Sequence, residues 1–235
     1  SIKISNKKGC KQWEAAKKMG KEAIKMELEK RALPEVLRLA DGTAVNTPEL
    51  WGKRREEIRE ILQEECYGRM PRTGWETEWE TVQEDKNAFG GKAVLRTVEV
   101  RIHTNSRYTS YPFQLVLPKN VQKPPVFLYL TFLPLSSDEL MEEITDSGYA
   151  VARVSYQDIA PDQGDGYTNG PGALFPGNAF DGWGKLAVWA WSASRIMDYL
   201  VDLEEIDGKR LTVAGHSRLG QAALRWGAIA GRFSM

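Results

Sequence analysis

The chain is poor in histidine: among its 235 residues only His103 and His216 occur. Cysteine is as scarce, with Cys10 and Cys66 alone, which excludes a disulfide framework and a four-cysteine zinc site. A surplus of one charge is also missing. Lys and Arg total 32 and Asp and Glu total 32, so no basic excess exists for the clustered phosphate contacts that nucleic-acid binding requires. No apolar run approaches the roughly 20 residues that span a bilayer. Residues 1–33 carry lysines but no apolar core segment and no small-residue cleavage site. They do not read as a secretory leader, and cytoplasmic placement is expected over secretion. Neither nucleic acid nor a membrane is expected as a partner. What remains, 42% hydrophobic and 27% charged, is ordinary for a globular domain long enough to bury one sizeable core.

Two segments are expected: an N-terminal helical extension over 1–36 and an α/β domain over 37–235. The spacing predicts a helix over 11–33, with Trp13, Ala16, Ala23 and Ile24 on one side, ended by Pro34. Its apolar face is too weak for a membrane-surface helix, so it reads as a solvated helix. Thr47 and Pro48 suit the cap and first position of a second helix, running through Trp51, Ile58 and Leu62 to about Cys66.

A β-rich section follows. Residues 75–82 alternate weakly. Val98, Val100 and Ile102 alternate with Glu99, Arg101 and His103, the pattern of a half-buried antiparallel strand. Phe113, Leu115 and Leu117 share one face of another strand. Residues 125–132 are nearly all apolar, as in a strand covered on both faces. The pattern then becomes strand–helix–strand–helix. A helix capped by Ser137 is predicted over 138–146, a strand over 148–156, a helix over 184–203, a buried strand over 211–214 and a last helix over 218–230. Antiparallel strands followed by alternating elements predict an α/β three-layer sandwich, its sheet mostly parallel with an antiparallel leading edge. Between them, residues 157–181 form a long Gly-, Pro-, Asp- and Asn-rich loop, a length often tied to function.

The chemistry lies in Gly215-His-Ser-Arg-Leu-Gly220, between an apolar strand and a helix. This is the context of a nucleophile elbow, a sharp turn that lifts a serine above the sheet at the positive end of a helix. The second glycine comes one position later than in the usual G-x-S-x-G pattern, and Arg218 follows the serine directly. A fixed cation and the Arg218 N–H beside Ser217 suit a developing oxyanion. The bland alternatives are a capping serine at an ordinary turn and a surface salt bridge for Arg218.

At these residues the sequence resembles a family. Val213-Ala-Gly-His-Ser-Arg-Leu-Gly-Gln-Ala-Ala-Leu-Arg-Trp-Gly-Ala228 is similar to the nucleophile motif of the glucuronoyl esterases and their acetyl-xylan-esterase-like relatives. Leu39-Ala-Asp-Gly-Thr-Ala-Val45, Glu65-Cys-Tyr-Gly-Arg-Met-Pro71 and the stretch from Trp183 to Leu200 look like further landmarks. The resemblance implies an α/β-hydrolase acting on a carbohydrate ester, of the 4-O-methyl-glucuronoyl methyl ester or acetylated xylan type, with no cofactor or metal. Ser217 matches the nucleophile and Arg218 the oxyanion-stabilising arginine. Gln221 stands where the glucuronoyl esterases carry a lysine that contacts sugar hydroxyls. His216 stands where the fungal enzymes have cysteine and bacterial relatives often have histidine. In this fold a second oxyanion donor comes from the loop after the central strand, here at Phe132. Of the tryptophans, Trp183 is the candidate for stacking a sugar, whereas Trp189 falls on a buried stripe.

A serine nucleophile also needs a histidine base and an acid to orient it, and in α/β-hydrolases both follow the serine. None of the residues after Ser217 is His, Asp or Glu. His216 is expected to turn away into sheet-side packing, and His103 to face solvent. The expectation is therefore a hydrolase domain cut short after the elbow helix, inactive as these residues alone, with the acid and histidine beyond Met235. Asp158, Asp162 and Asp165 do not fit an EF-hand spacing and read as a solvated loop over the active-site face. Two other readings stay open: a different serine esterase or peptidase-like member of the fold, and a non-catalytic module of the same architecture.

Overall fold

The structure is a computed structural model that describes residues 21–31, 34–136, 140–164, 168–175 and 182–230. The chain divides into two compact units, Ser1–Glu57 and Ile58–Met235.

In the first unit the helix of residues 11–33 is seen as α1, Lys21–Lys30. Trp13, Ala16 and the expected end at Leu33 lie outside the described residues. Ile24 is 45% exposed and Met26 59%, consistent with a solvated helix. Helix α2, Pro48–Leu62, starts where Thr47 accepts the Leu50 N–H at 3.3 Å. Arg54 is buried and donates to the carbonyls of Glu35 and Val36 and to the Glu57 carboxylate. These bonds fold the 35–45 turn onto the helix.

The second unit holds a six-stranded mixed sheet in the order β1-β2-β3-β5-β4-β6. Its strands are β1 (Glu76–Asn87), β2 (Ala93–His103), β3 (Tyr108–Pro118), β4 (Val126–Thr131), β5 (Ala150–Ser155) and β6 (Leu211–Gly215). The antiparallel leading edge is present as β1, β2 and β3; β5, β4 and β6 run parallel to one another. Strand β1 runs to Asn87, past the expected end at Val82, because ladder pairing with β2 carries it on although most of its side chains are exposed.

Helices cover both faces. Adjacent residues of a strand point to opposite sides, so Leu115 and Ala152 join the large core under α4 (Lys185–Val201), while Val116 and Val151 meet Met141 of α3 (Met141–Asp146) on the other face. This is the three-layer α/β plan. Trp189, Ile196, Met197 and Leu200 of α4 are buried, each burial contributing on the order of 1.5–3 kcal/mol. Helix α5, Arg218–Ala230, follows β6 directly. Ser137, the expected cap of α3, lies outside the described residues. The loop after β5 opens with a helical turn, Tyr156–Ile159, and later forms a 3-10 turn, Gly170–Leu174. Among the described residues no helix is long and apolar enough to cross a membrane.

Candidate active site

The site forms at the carboxyl ends of the parallel strands, where open α/β sheets characteristically place ligands. Strand β6 ends at Gly215 and α5 begins at Arg218, leaving His216 and Ser217 to make the turn. Ser217 takes φ 55°, a left-handed conformation that costs a non-glycine residue roughly 1–2 kcal/mol. A Cβ on Gly215 would meet the Leu219 carbonyl oxygen at 2.5 Å, and one on Gly220 would meet the Gly215 carbonyl oxygen at 2.9 Å. The displaced second glycine is thereby explained: at 220, not 219, the helix backbone presses on the end of β6. Leu219, in the position glycine usually takes, is fully buried.

The helix closes at once behind the serine. Leu219 N–H donates to the His216 carbonyl at 3.0 Å and Gln221 N–H to the Ser217 carbonyl at 3.1 Å. Ser217 thus stands exposed at the positive end of α5, beside the first N–H groups of the helix, which have no intrahelical partner.

Arg218 reaches across the mouths of two neighbouring strands. Its guanidinium carbon lies 5.2 Å from the ring centre of Phe132, just past β4, and 6.0 Å from that of Tyr156, just past β5. Its Nη1 donates to Asp162 Oδ2 at 2.9 Å. Phe132 and Tyr156 pack edge to face at 5.4 Å, and the His216 ring meets Phe132 at 6.4 Å. Both neighbours of Ser217 therefore contact Phe132. In the loop after β4, Leu133 N–H is already engaged, donating to Thr131 Oγ1 at 3.0 Å. Beside Arg218 opens a cleft of about 530 Å³ walled by Tyr67, Asp162, Lys185 and Trp189, with Cys66 at its edge.

A family model described as glucuronyl esterase, fungi, matches residues 100–235. The chain belongs to the glucuronyl esterase family. Its relatives include a glucuronoyl esterase from Solibacter usitatus, 33% identical with a TM-score of 0.77, covering 86% of this chain and 62% of that one. A carbohydrate esterase of an unknown prokaryotic organism is 27% identical over 88% of this chain and 57% of its own length. A glucuronoyl esterase mutant from Sporotrichum thermophile, solved with methyl 4-O-methyl-β-D-glucopyranuronate, is 25% identical with a TM-score of 0.66, covering 86% and 51%. The chain thus spans less than two thirds of these proteins, and its fold is the α/β-hydrolase fold.

On this glucuronyl esterase frame Ser217, Arg218 and Phe132 come together. Gln221 is exposed one turn into α5. Trp183 lies elsewhere: it is 4% exposed, edge-on to Trp191 and Phe175. The indole expected to stack a sugar is packed into the core against Phe175 and Trp191, which Trp75 in turn packs against. The expectation for His216 is also corrected: its ring is exposed and meets Phe132, just past β4, rather than turning into the sheet. His103, at the end of β2, packs 4.9 Å from Tyr108. Four strand spacings separate β2 from β6, about 19 Å, so His103 does not reach Ser217. Asp165 falls outside the described residues. The salt bridge weighed for Arg218 is present, with Asp162 as its partner; the acidic character of the loop over this face was the only sequence signal for that partner, and the Tyr156 contact had none.

Proposed function

We propose that the protein hydrolyses a carbohydrate ester of the 4-O-methyl-glucuronoyl type, with Ser217 as nucleophile. The observation that carries this reading is the strained Ser217 backbone at the end of β6, with the Arg218 guanidinium held on Phe132 beside it. The Ser217 hydroxyl oxygen attacks the ester carbonyl carbon and gives up its proton. Negative charge grows on the carbonyl oxygen, where the Arg218 cation and the N-terminus of α5 stabilise it. The intermediate collapses, the alcohol leaves with a proton, and water then cleaves the acyl-serine to release the uronic acid. Turnover requires a proton acceptor at Ser217; His103, four strands away, does not reach it, and the His216 ring is turned onto Phe132. Relatives in the same family named as glucuronoyl esterases, one solved with a methyl glucuronate ester, support the substrate class. Acetylated xylan is the second candidate, because Gln221 replaces the lysine expected on the sugar hydroxyls.

The test is a substrate panel on the intact protein: methyl 4-O-methyl-glucuronate, acetylated xylan and p-nitrophenyl acetate. The reading predicts the highest kcat/KM on the glucuronate ester and loss of all turnover in Ser217→Ala. A preference for acetylated xylan would transfer the assignment to deacetylation, and undiminished turnover in Ser217→Ala would end it.

A further inference from the structure

We propose that Asp162 is a positioning residue that holds the Arg218 guanidinium ready for the oxyanion. This rests on the esterase reading above and deepens it. Asp162 sits seven residues past the end of β5, far from Arg218 in sequence, yet accepts from its Nη1 at 2.9 Å. Exposed ion pairs usually contribute little, because two long side chains must be frozen to form them. Here much of that freezing is done elsewhere. The backbone two residues before Asp162 is braced from behind: Trp189 Nε1, inside the core, donates to the Ala160 carbonyl at 2.9 Å. The returning loop also presses on Ile159, where a Cβ on Gly170 would lie 2.0 Å from its carbonyl oxygen.

Arg218 is braced by two aromatic rings, Phe132 just past β4 and Tyr156 just past β5. With three contacts from the mouths of two strands, β4 and β5, the guanidinium has a fixed location before substrate arrives. That is the condition under which an oxyanion donor costs no reorganisation in the transition state. Only Nη1 is bonded to the aspartate, so the fork retains N–H donors for a second acceptor. The bond is also charge-assisted, which aligns the planar group as well as attracting it. Removing the carboxylate leaves the cation in place on average but lets it swing. The chemical step then slows while substrate binding is hardly affected.

The experiment is a double-mutant cycle on the intact protein with methyl 4-O-methyl-glucuronate as substrate. Arg218→Ala is expected to lower kcat roughly 100-fold, the usual scale for one oxyanion donor. Asp162→Asn is expected to lower kcat about tenfold with KM changed less than about twofold, and Asp162→Glu to recover part of the loss. In the Arg218→Ala background, Asp162→Asn should cost nothing further, because its only route to the chemistry is gone. An equal loss in both backgrounds would overturn the proposal, and so would a gain in kcat on Asp162→Asn, which would mean the pair draws Arg218 away from the reaction. If Ser217→Ala retains turnover, or the wild-type protein has none, the esterase reading itself falls and takes this role with it. A live Ser217-dependent enzyme with an additive cycle sinks only the Asp162 role.

Discussion

A Cβ on Gly215 would lie 2.5 Å from the carbonyl oxygen of Leu219, so the end of β6 and the first turn of α5 fit together only because residue 215 has no side chain. Both sides of this contact are backbone, which cannot rotate away. Gly215→Ala is expected to lower stability by more than about 2 kcal/mol, on the scale of overpacked cores, and to displace Ser217. Urea unfolding measures the first effect and fluorophosphonate labelling the second. A variant with the wild-type midpoint would show that the elbow is looser than described.

The strain at Ser217 has an opposite signature. With φ at 55°, glycine suits the position better than any L-residue. Ser217→Gly is expected to be more stable than Ser217→Ala by about 1 kcal/mol, although neither can act as a nucleophile. Comparing the two variants by denaturant unfolding isolates the backbone term. Equal stabilities would mean that the turn relaxes out of the left-handed region once the hydroxyl is gone.

Tyr111 ties the antiparallel half of the sheet to α4. Its buried hydroxyl donates to the Ser192 carbonyl at 2.8 Å, and burial pushes its pKa far above the ordinary tyrosine range. Tyr111→Phe is expected to cost about 1 kcal/mol, the net value of one such bond, with activity unchanged. Thermal unfolding checks the first and ester hydrolysis the second.

Glu84, Arg96 and Glu205 form a bridge from β1 through β2 to the turn after α4. The hydrogen bond from Arg96 holds the Glu84 carboxyl below its ordinary value of 4.5. A carboxylate with a lowered folded pKa adds stability that is present above its unfolded pKa and is lost as pH falls through the folded value. Glu84→Gln is therefore expected to flatten the acid limb of the stability profile below about pH 4.5. Urea midpoints between neutral pH and pH 3 measure this, and an unchanged slope would remove Glu84 from the account of acid lability.

Much of the fold was legible where a single physical rule governed a segment. The apolar runs of β4 and β5 announced strands covered on both sides, and the stripe Trp189, Ile196, Met197, Leu200 announced the buried face of α4. The elbow was legible because glycine, serine and glycine at those spacings answer one steric problem. Less legible were residues whose position depends on distant parts of the chain. Arg153 is fully buried in β5, donating to Gln114 Oε1 and the Leu135 carbonyl, although a charge inside an apolar strand gives no hint of its partners. Arg225 lies in the core against the Tyr67 ring, bonded to the Gly68 carbonyl, and burial lowers its pKa to about 10. Trp183, expected to stack a sugar from its place at a loop–helix junction, is buried, and tertiary packing alone decides this. The Arg218–Asp162 pair joins residues that local periodicity has no means of connecting.

The central claim is that Ser217 is an activated nucleophile, and covalent labelling tests it most directly. Treating the intact protein with a fluorophosphonate and mapping the adduct by mass spectrometry should give one modified residue, Ser217, with labelling abolished in Ser217→Ala and slowed in Arg218→Ala. No adduct, or an adduct on another serine that persists in Ser217→Ala, would contradict it.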